Sequence, residues 1–333
     1  MRRMVKWLAA PLVLITGYFL GPQTKYLPLD GKIKPYNGNL INIEAQIKQA
    51  EAKVSNIKPG NQSRIVWADS IRKTPYSVVF LHGWSASSRE GDPVVQDFAR
   101  RYGCNVYYPR LAGHGIEDSD VFKELQPQDL INSARNAISI GQQLGEKVII
   151  MGSSTGCTLG AYIAAQNPGA IAALIFYSPN IAIADKTAAL LSGPWGMQIA
   201  RLAHGGSNYH TWEPETPEVY DYWSTTYRIE GLICLQTLLD RTMKQEVFHK
   251  IDIPIFTGYY YKNEKEKDSV ISTDAIKTFM SSISTPEEQQ WLVPFADVGS
   301  HVITCDIQCK DLDSIRHKTY AFAEQVLGMQ STE

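Results

Sequence analysis

A five-residue segment with two glycines around a serine pair constrains the fold of this chain most. Residues 148–151 read Val-Ile-Ile-Met, residues 152–156 read Gly-Ser-Ser-Thr-Gly, and residues 157–166 have the pattern of a helix. A strand, a tight turn and a helix in this order form the context in which Gly-x-Ser-x-Gly presents a nucleophilic serine. The glycines permit a backbone too tight for ordinary side chains. Ser154 is therefore the candidate nucleophile.

From residue 64 onward, strand-like and helix-like segments alternate along the chain. The predicted strands are 64–68, 76–81, 105–108, 147–151, 171–177, 253–259 and 290–294. The predicted helices are 94–102, 128–144, 155–166, 273–282 and 312–327. Continuously apolar strands that alternate with helices predict an α/β fold, in which a doubly wound and mostly parallel sheet is covered on both faces.

One long interval, between residues 177 and 253, interrupts this alternation. It has no clear strand, shows helical periodicity around 222–239, and is rich in aromatic residues: Trp195, Tyr209, Trp212, Tyr220, Tyr222, Trp223, Tyr227 and Phe248. An insertion of this size predicts a helical cap at 181–250, with the core formed by 64–180 and 251–333. For any single aromatic residue, a place in an ordinary extra helical layer stays open.

A serine hydroxyl becomes a good nucleophile when a base takes its proton and a third group fixes the tautomer of that base. His301 lies after the last predicted strand and before the last predicted helix. Ligands of open α/β sheets bind at this carboxyl end of the strands. We therefore expect His301 to be the base.

The acid is expected between the serine and the histidine in chain order, after another strand. Asp268 follows the predicted strand 253–259, and the apolar pair Val270 and Ile271 next to it would anchor its loop. Glu264 and Glu266 lie in the charged run before it and remain the alternatives. Asp268 is the predicted acid.

Two backbone N–H groups are expected to hold the oxyanion that develops during acyl transfer. One is the N–H of Thr155, the residue after the candidate nucleophile. The other is the N–H of Trp84, because Gly83 lets the chain turn sharply after the strand 76–81. His82, at the start of the same turn, is expected to hold the loop.

Five short motifs occur in an order that resembles the α/β-hydrolase superfamily. They are Leu-His-Gly-Trp at 81–84, Leu-Ala-Gly-His-Gly at 111–115, Gly-Ser-Ser-Thr-Gly at 152–156, Asp-Ser-Val-Ile at 268–271 and Gly-Ser-His at 299–301. They are most similar to the carboxylesterase, lysophospholipase and monoacylglycerol-lipase-like branch, often grouped with serine aminopeptidases. Over residues 64–328 the resemblance implies a serine hydrolase with the triad Ser154, Asp268 and His301, a cap after the sixth strand, and no metal or cofactor.

Two departures from the family pattern stand out. The segment before Asp268 is longer and more charged than the usual short turn, and Ser153 stands where many relatives carry a bulkier residue. A serine at position 154, where dehalogenases and epoxide hydrolases need a carboxylate, excludes those classes.

Composition excludes some partners and leaves the cysteines open. A formal net charge of -2 and a pI near 6.4 give no reason to expect nucleic-acid binding. Five cysteines are too few for a disulfide scaffold. Cys305 and Cys309 lack the second pair of a zinc site, although a disulfide between them stays open in an exported protein.

The N-terminus combines basic residues with an apolar run. Arg2, Arg3 and Lys6 precede an uncharged window of 18 residues, 7–24, which is near the minimum for a spanning helix. For residues 1–22 an uncleaved membrane anchor, a cleaved signal and a buried helix stay open. The first predicts a membrane-anchored protein with an extracytoplasmic catalytic domain, and the second an exported or periplasmic one. Residues 23–63 are expected to form a linker with a short helix at 40–54.

Together these features predict a carboxylic-ester hydrolase that forms an acyl-enzyme on Ser154. The resemblance implies an acyl ester such as a monoacylglycerol or lysophospholipid as substrate. An aminopeptidase or amidase, with Glu213, Glu215 and Glu218 of the cap holding an ammonium group, uses the same triad, as does an acyltransferase. A non-catalytic binding domain on this scaffold would be expected to lack a triad residue.

Overall fold

The computed structural model describes residues 17–332. Most of the segment predicted as a membrane anchor or signal, 1–22, lies outside this range, and its fate stays a prediction. Among the helices formed by residues 17–332, none has both the length and the apolar character needed to cross a membrane.

Nine strands within residues 17–332 form one large and one small sheet. The strands are β1 Arg64–Val66, β2 Thr74–Leu81, β3 Asn105–Tyr108, β4 Gly145–Ser153, β5 Ala173–Tyr177, β6 Tyr209–Thr211, β7 Thr226–Arg228, β8 Ile255–Tyr260 and β9 Gln290–Phe295. The large sheet has the order β1-β3-β2-β4-β5-β8-β9. Only β1 runs antiparallel in it, at the edge beside β3. Each of its strands overlaps a predicted one, so the predicted fold class is confirmed.

Helices connect these strands and cover the large sheet. They are α1 Ile43–Glu51, α2 Val94–Tyr102, α3 Pro127–Leu144, α4 Thr155–Gln166, α5 Gly196–Ala203, α6 Val219–Tyr222, α7 Glu230–Thr242, α8 Gln245–Phe248, α9 Thr273–Ser282 and α10 Leu312–Gln325. On one face the core includes Ile138 of α3 and Ile163 of α4, and on the other it includes Phe98 of α2 and Phe322 of α10. Burial on both faces explains why the strands lack polar alternation.

The helix ends have local causes that can be read in the chain. The hydroxyl of Ser272 accepts the Ala275 N–H at the start of α9, and the carboxylate of Asp311 accepts the Ser314 N–H at the start of α10. Both side chains satisfy N–H groups that the first helical turn leaves unpaired. Gly103, with φ at 60°, ends α2 in the left-handed conformation that glycine adopts readily.

The chain leaves the large sheet between β5 and β8, where α5 to α8 and the small sheet lie. The prediction that this interval contains no strand is wrong, because β6 and β7 pair as an antiparallel ribbon. Strands of three residues are too short to display a period of two. The insertion follows the fifth strand of the large sheet rather than a sixth, and the cap bounds 181–250 stay a prediction.

Candidate active site

The turn between β4 and α4 holds Ser154 in a strained backbone conformation. Its φ is 50° and its ψ is -117°, a region that residues with a Cβ rarely occupy. A Cβ on Gly156 would lie 1.8 Å from the carbonyl oxygen of Leu81, and one on Gly152 would lie 3.1 Å from the Cys157 nitrogen. The Leu81 backbone therefore excludes a Cβ at position 156, and the Cys157 backbone would crowd one at position 152.

Asp268 and His301 form a partly buried hydrogen-bonded pair. His301 Nδ1 lies 2.6 Å from Asp268 Oδ2, and the Asp268 side chain is fully buried. The other carboxylate oxygen, Oδ1, accepts the N–H groups of Val270 at 2.8 Å and Ile271 at 3.2 Å. Because an ionised carboxylate only accepts hydrogen bonds, His301 Nδ1 is the donor and Nε2 carries the free lone pair.

The pair also shifts the pKa of both partners. Burial alone would raise the pKa of Asp268, but the charge and hydrogen bond of His301, with the two backbone N–H donors, outweigh it and lower that pKa. Burial alone would lower the pKa of His301, but Asp268 and the carboxyl of Glu90 outweigh it and raise that pKa. An imidazole held this way is a stronger base than free histidine.

The loop after β5 connects the serine turn to the histidine loop. The Ser154 N–H donates to the carbonyl of Tyr177 at 3.0 Å, and the Asn180 N–H donates to the carbonyl of Ser154 at 3.1 Å. Between these residues, Ser178 Oγ donates to the carbonyl of His301 at 2.6 Å. Residues 177–180 therefore hold the backbones of Ser154 and His301 at the same edge of the sheet.

The two predicted oxyanion donors come from segments that adjoin Ser154. Thr155 is the first residue of α4, where N–H groups have no partner inside the helix. Trp84 follows Gly83, and a Cβ on Gly83 would lie 3.1 Å from the Ser154 Cβ. The loop after β2 therefore passes directly beside the serine. The donor roles of Trp84 and Thr155 stay predictions.

His82 connects two loops at this edge. Its Nδ1 is 2.9 Å from the carbonyl of Gly83, and its Nε2 accepts the Leu111 N–H at 3.2 Å. Burial lowers the pKa of His82 to about 4, which keeps the ring neutral. These contacts agree with the expectation that His82 holds the loop.

The alternative acids form ion pairs on an exposed loop, and the cysteines are unpaired. Glu264 pairs with Lys267 at 2.7 Å and Glu266 with Lys262 at 3.8 Å, all on an exposed loop. The five cysteines are buried free thiols, so Cys305 and Cys309 are not joined. Within residues 17–332, no group of three or more histidine, cysteine or acidic side chains could hold a metal ion.

Glu90 is a site residue that the sequence analysis missed. It is 2% exposed, and its carboxylate accepts the N–H of Gly83 in the loop beside Ser154. Its local sequence, Ser-Arg-Glu-Gly-Asp at 88–92, resembles that of a solvated loop. No local signal distinguishes such a segment from an exposed one, because its burial depends on residues far along the chain.

Phe122 of the core and Tyr227 of the insertion pack against the ring of Trp84. The Trp84 ring lies 4.5 Å from the Phe122 ring and 6.2 Å from that of Tyr227, measured between centroids. Tyr227 belongs to β7, and its ring is 5.3 Å from that of Phe122. The Trp84 side chain of the loop beside Ser154 therefore packs against aromatic rings.

Comparison with solved structures shows the same fold in other proteins. The chain is similar to a metagenome-derived lipolytic enzyme from the work on LipS and LipT, with a TM-score of 0.64, 16% identity, and 80% of this chain and 98% of that chain covered. It is also similar to the monoacylglycerol lipase of Paleococcus ferrophilus, with a TM-score of 0.56, 14% identity, and 77% and 95% covered. Est1E from Butyrivibrio proteoclasticus, with ferulic acid bound, has a TM-score of 0.52, 17% identity, and 80% and 95% covered. No curated protein matches this chain in sequence.

The sequence profile of the alpha/beta hydrolase family matches residues 78–297. This range is more than half of the chain, and it contains Ser154 and Asp268 and ends shortly before His301. The family that the profile matches has the same fold class as the large, mostly parallel sheet with its covering helices. The chain belongs to the alpha/beta hydrolase family.

Proposed function

We propose that this protein is a serine hydrolase that cleaves carboxylic esters through an acyl-enzyme on Ser154. The observation that carries the proposal is the partly buried hydrogen bond between His301 Nδ1 and Asp268 Oδ2 at 2.6 Å. This pair is tied through the loop at 177–180 to the turn that holds Ser154. A nucleophile, a base and a group that orients the base are the elements of acyl transfer.

In the proposed reaction, His301 Nε2 takes the proton of Ser154 as Oγ attacks the ester carbonyl. The N–H groups of Trp84 and Thr155 hold the oxyanion, and Asp268 stabilises the imidazolium. The imidazolium then gives its proton to the leaving alcohol as the carbon–oxygen bond breaks. A water molecule, deprotonated by His301, releases the acid and restores Ser154.

For the substrate we propose an acyl ester with an apolar chain, such as a monoacylglycerol or lysophospholipid. The aromatic group formed by Trp84, Phe122 and Tyr227 supports this class, because it places apolar rings next to the residue that carries one predicted oxyanion donor. Two of the structurally similar proteins are a lipolytic enzyme and a monoacylglycerol lipase. The amide alternative has less support, since Glu213, Glu215 and Glu218 are exposed.

On sequence grounds alone, we propose that residues 1–22 attach the protein to a membrane or direct its export across one. Cell fractionation of the full chain, followed by N-terminal sequencing, would separate an intact anchor from a cleaved signal. Recovery of intact chain only in the cytosol would contradict both.

Labelling by a fluorophosphonate probe tests the proposed nucleophile. We expect the full chain to be labelled, and Ser154→Ala to be unlabelled and to lose roughly 10⁴ to 10⁶-fold in kcat. Circular dichroism and thermal melting would show whether each variant is folded. Ser281→Ala, on the exposed end of α9, is the control and should keep full labelling.

The same assay, run with p-nitrophenyl esters from acetate to palmitate, tests the substrate class. We expect kcat/KM to rise from acetate to medium chains, because each buried methylene contributes about 0.8 kcal/mol. A preference for acetate over every longer chain would contradict an apolar acyl site. A folded protein that reacts with neither probe nor ester would contradict the enzyme function itself.

A further inference from the structure

The short 3-10 helix Ser88–Gly91 holds the Glu90 carboxyl among three parts of the candidate site. That carboxyl accepts the Gly83 N–H in the loop after β2. The Glu90 backbone carbonyl accepts the hydroxyl of Thr304 at 2.6 Å, three residues after His301. A Cβ on Gly83 would lie 2.8 Å from Glu90 Oε1 and 3.1 Å from the Ser154 Cβ. The Glu90 carboxylate and the Ser154 side chain therefore both lie next to Gly83.

Several groups face this carboxyl from the elements packed around it. The loop that carries His301 reaches the same 3-10 helix through Thr304, and the charge of His301 lowers the pKa of Glu90 while Glu90 raises that of His301. The thiols of Cys157 and Cys305 also lie near enough for their pKa to be raised by it, in addition to the effect of their burial. The adjacent Arg89 guanidinium turns instead to Asp306 and the Cys305 sulfur. Burial, as the largest influence, raises the pKa of Glu90 to about 7.

Burial of an ionised carboxylate costs free energy unless a nearby group compensates its charge. Neither the Gly83 N–H nor the Ser153 hydroxyl, the two hydrogen-bond donors that lower the pKa of Glu90, requires a charge, since the amide oxygen of a glutamine could accept from both. What a negative charge adds is attraction to a cation, and the cation that forms beside Glu90 during acyl transfer is the imidazolium of His301.

We propose that Glu90 is a second carboxylate of the active site, which positions the loop of Trp84 through the Gly83 N–H and supports the protonated form of His301. It acts on the substrate only through these two groups and is therefore a positioning residue. The inference rests on the proposed function in taking His301 as the base. The charge interaction between Glu90 and His301 can nevertheless be measured without a substrate.

NMR titration of the histidine side chains tests that interaction directly. The His301 signal is assigned by its loss in His301→Gln. In Glu90→Gln, which keeps an acceptor for Gly83 but has no charge, we expect the pKa of His301 to fall by roughly half to one unit. Glu90→Asp should retain most of the wild-type value, and Glu288→Gln, which removes an exposed charge, should leave it unchanged.

Two further measurements keep the test decisive. Coupling between two titrating groups is reciprocal, so His301→Gln should raise the pKa of Glu90, followed by the ¹³C signal of its carboxyl group; this holds even if Glu90→Gln fails to fold. In the ester assay, Glu90→Gln should move the acid limb of kcat/KM to lower pH by the same amount as the NMR shift, since His301 must be neutral to act as base.

The outcomes separate this inference from the proposed function. If the pKa of His301 is the same in Glu90→Gln as in wild type, or that of Glu90 is the same in His301→Gln, then Glu90 is only a structural acceptor and the inference is wrong. If the full chain is not labelled by a fluorophosphonate while both pKa values move as expected, the proposed function fails and the charge interaction stands.

Discussion

At the scale of single residues, the geometry around Ser154 shows what a nucleophile at a sharp turn requires. Its backbone has φ at 50° and ψ at -117°, which costs of order 1–3 kcal/mol for a residue with a Cβ. The cost is met by contacts on both sides of the turn, because the Ser154 N–H and carbonyl bond to Tyr177 and Asn180. The serine is therefore held in place before any substrate arrives.

This strain predicts opposite effects of glycine at two neighbouring serines. Ser154→Gly should have a free energy of unfolding about 1–2 kcal/mol higher than Ser154→Ala, because glycine relieves the unfavourable conformation. At Ser153, the last residue of β4, the order should reverse by about 0.5–1 kcal/mol, since glycine is destabilising in a strand. Urea unfolding of the four variants checks both comparisons. Equal stability of Ser154→Gly and Ser154→Ala would show that the turn is not strained.

At the scale of elements, the close packing of α4 on the sheet fixes the position of the turn that carries Ser154. The first turn of α4 lies against the end of β2 so closely that a Cβ on Gly156 would meet backbone atoms of both Leu81 and His82. One turn later, a Cβ on Gly160 would meet only side chains, at 3.1 Å from Ile150 and Phe176. Backbone atoms cannot move aside as side-chain ends can, so the two glycines differ in importance.

Alanine substitution at these two positions measures that difference. Gly156→Ala should lower the free energy of unfolding by about 3 kcal/mol or more and should abolish fluorophosphonate labelling, because α4 must move away from β2. Gly160→Ala should stay within about 1 kcal/mol of wild type, since the better helix propensity of alanine offsets the crowding. Urea unfolding provides both values. Similar losses at the two positions would contradict this account of the turn.

At the scale of the whole molecule, residues 30–33, which precede the large sheet in the chain, are attached to helices that lie far along the sequence. Asp30 forms an ion pair with Arg135 of α3 at 2.7 Å. Asn167, directly after α4, donates to the carbonyl of Gly31 at 2.8 Å and accepts the Ile33 N–H at 3.0 Å. The segment that the sequence analysis treated as a linker therefore lies against α3 and the C-terminal end of α4.

Removal of the Asn167 side chain should loosen this attachment. Asn167→Ala loses both bonds to the segment and a third to Ile163, so we expect a loss of about 1–3 kcal/mol in the free energy of unfolding. Amide hydrogen exchange of residues 31–33 should accelerate more than that of β4. Asn37→Ala, at an exposed position of the same segment, is the control. Unchanged exchange at 31–33 would mean that other contacts hold the segment.

The sequence by itself determined the elements of the core and the most prominent candidate residues, because their signals are local. Apolar runs mark strands buried on both faces, and the spacing of apolar residues marks the helices between them. Two glycines around Ser154 mark a tight turn, and at Gly156 the backbone of Leu81 leaves no room for a side chain. The order of the motifs along the chain then indicated Asp268 as the acid and His301 as the base. Their contact across 33 residues was only an expectation.

Tertiary structure alone decided the features whose causes lie far apart in the chain. The strands β6 and β7 exist because they pair with each other, since three residues carry too little pattern to predict a strand. Glu90 belongs to a charged segment that resembles a solvent-exposed loop, yet Gly83 and Thr304 hold it in the interior. Burial and charge interactions depend on which distant segments pack together, and this is the physical reason why local sequence could not reveal the second carboxylate.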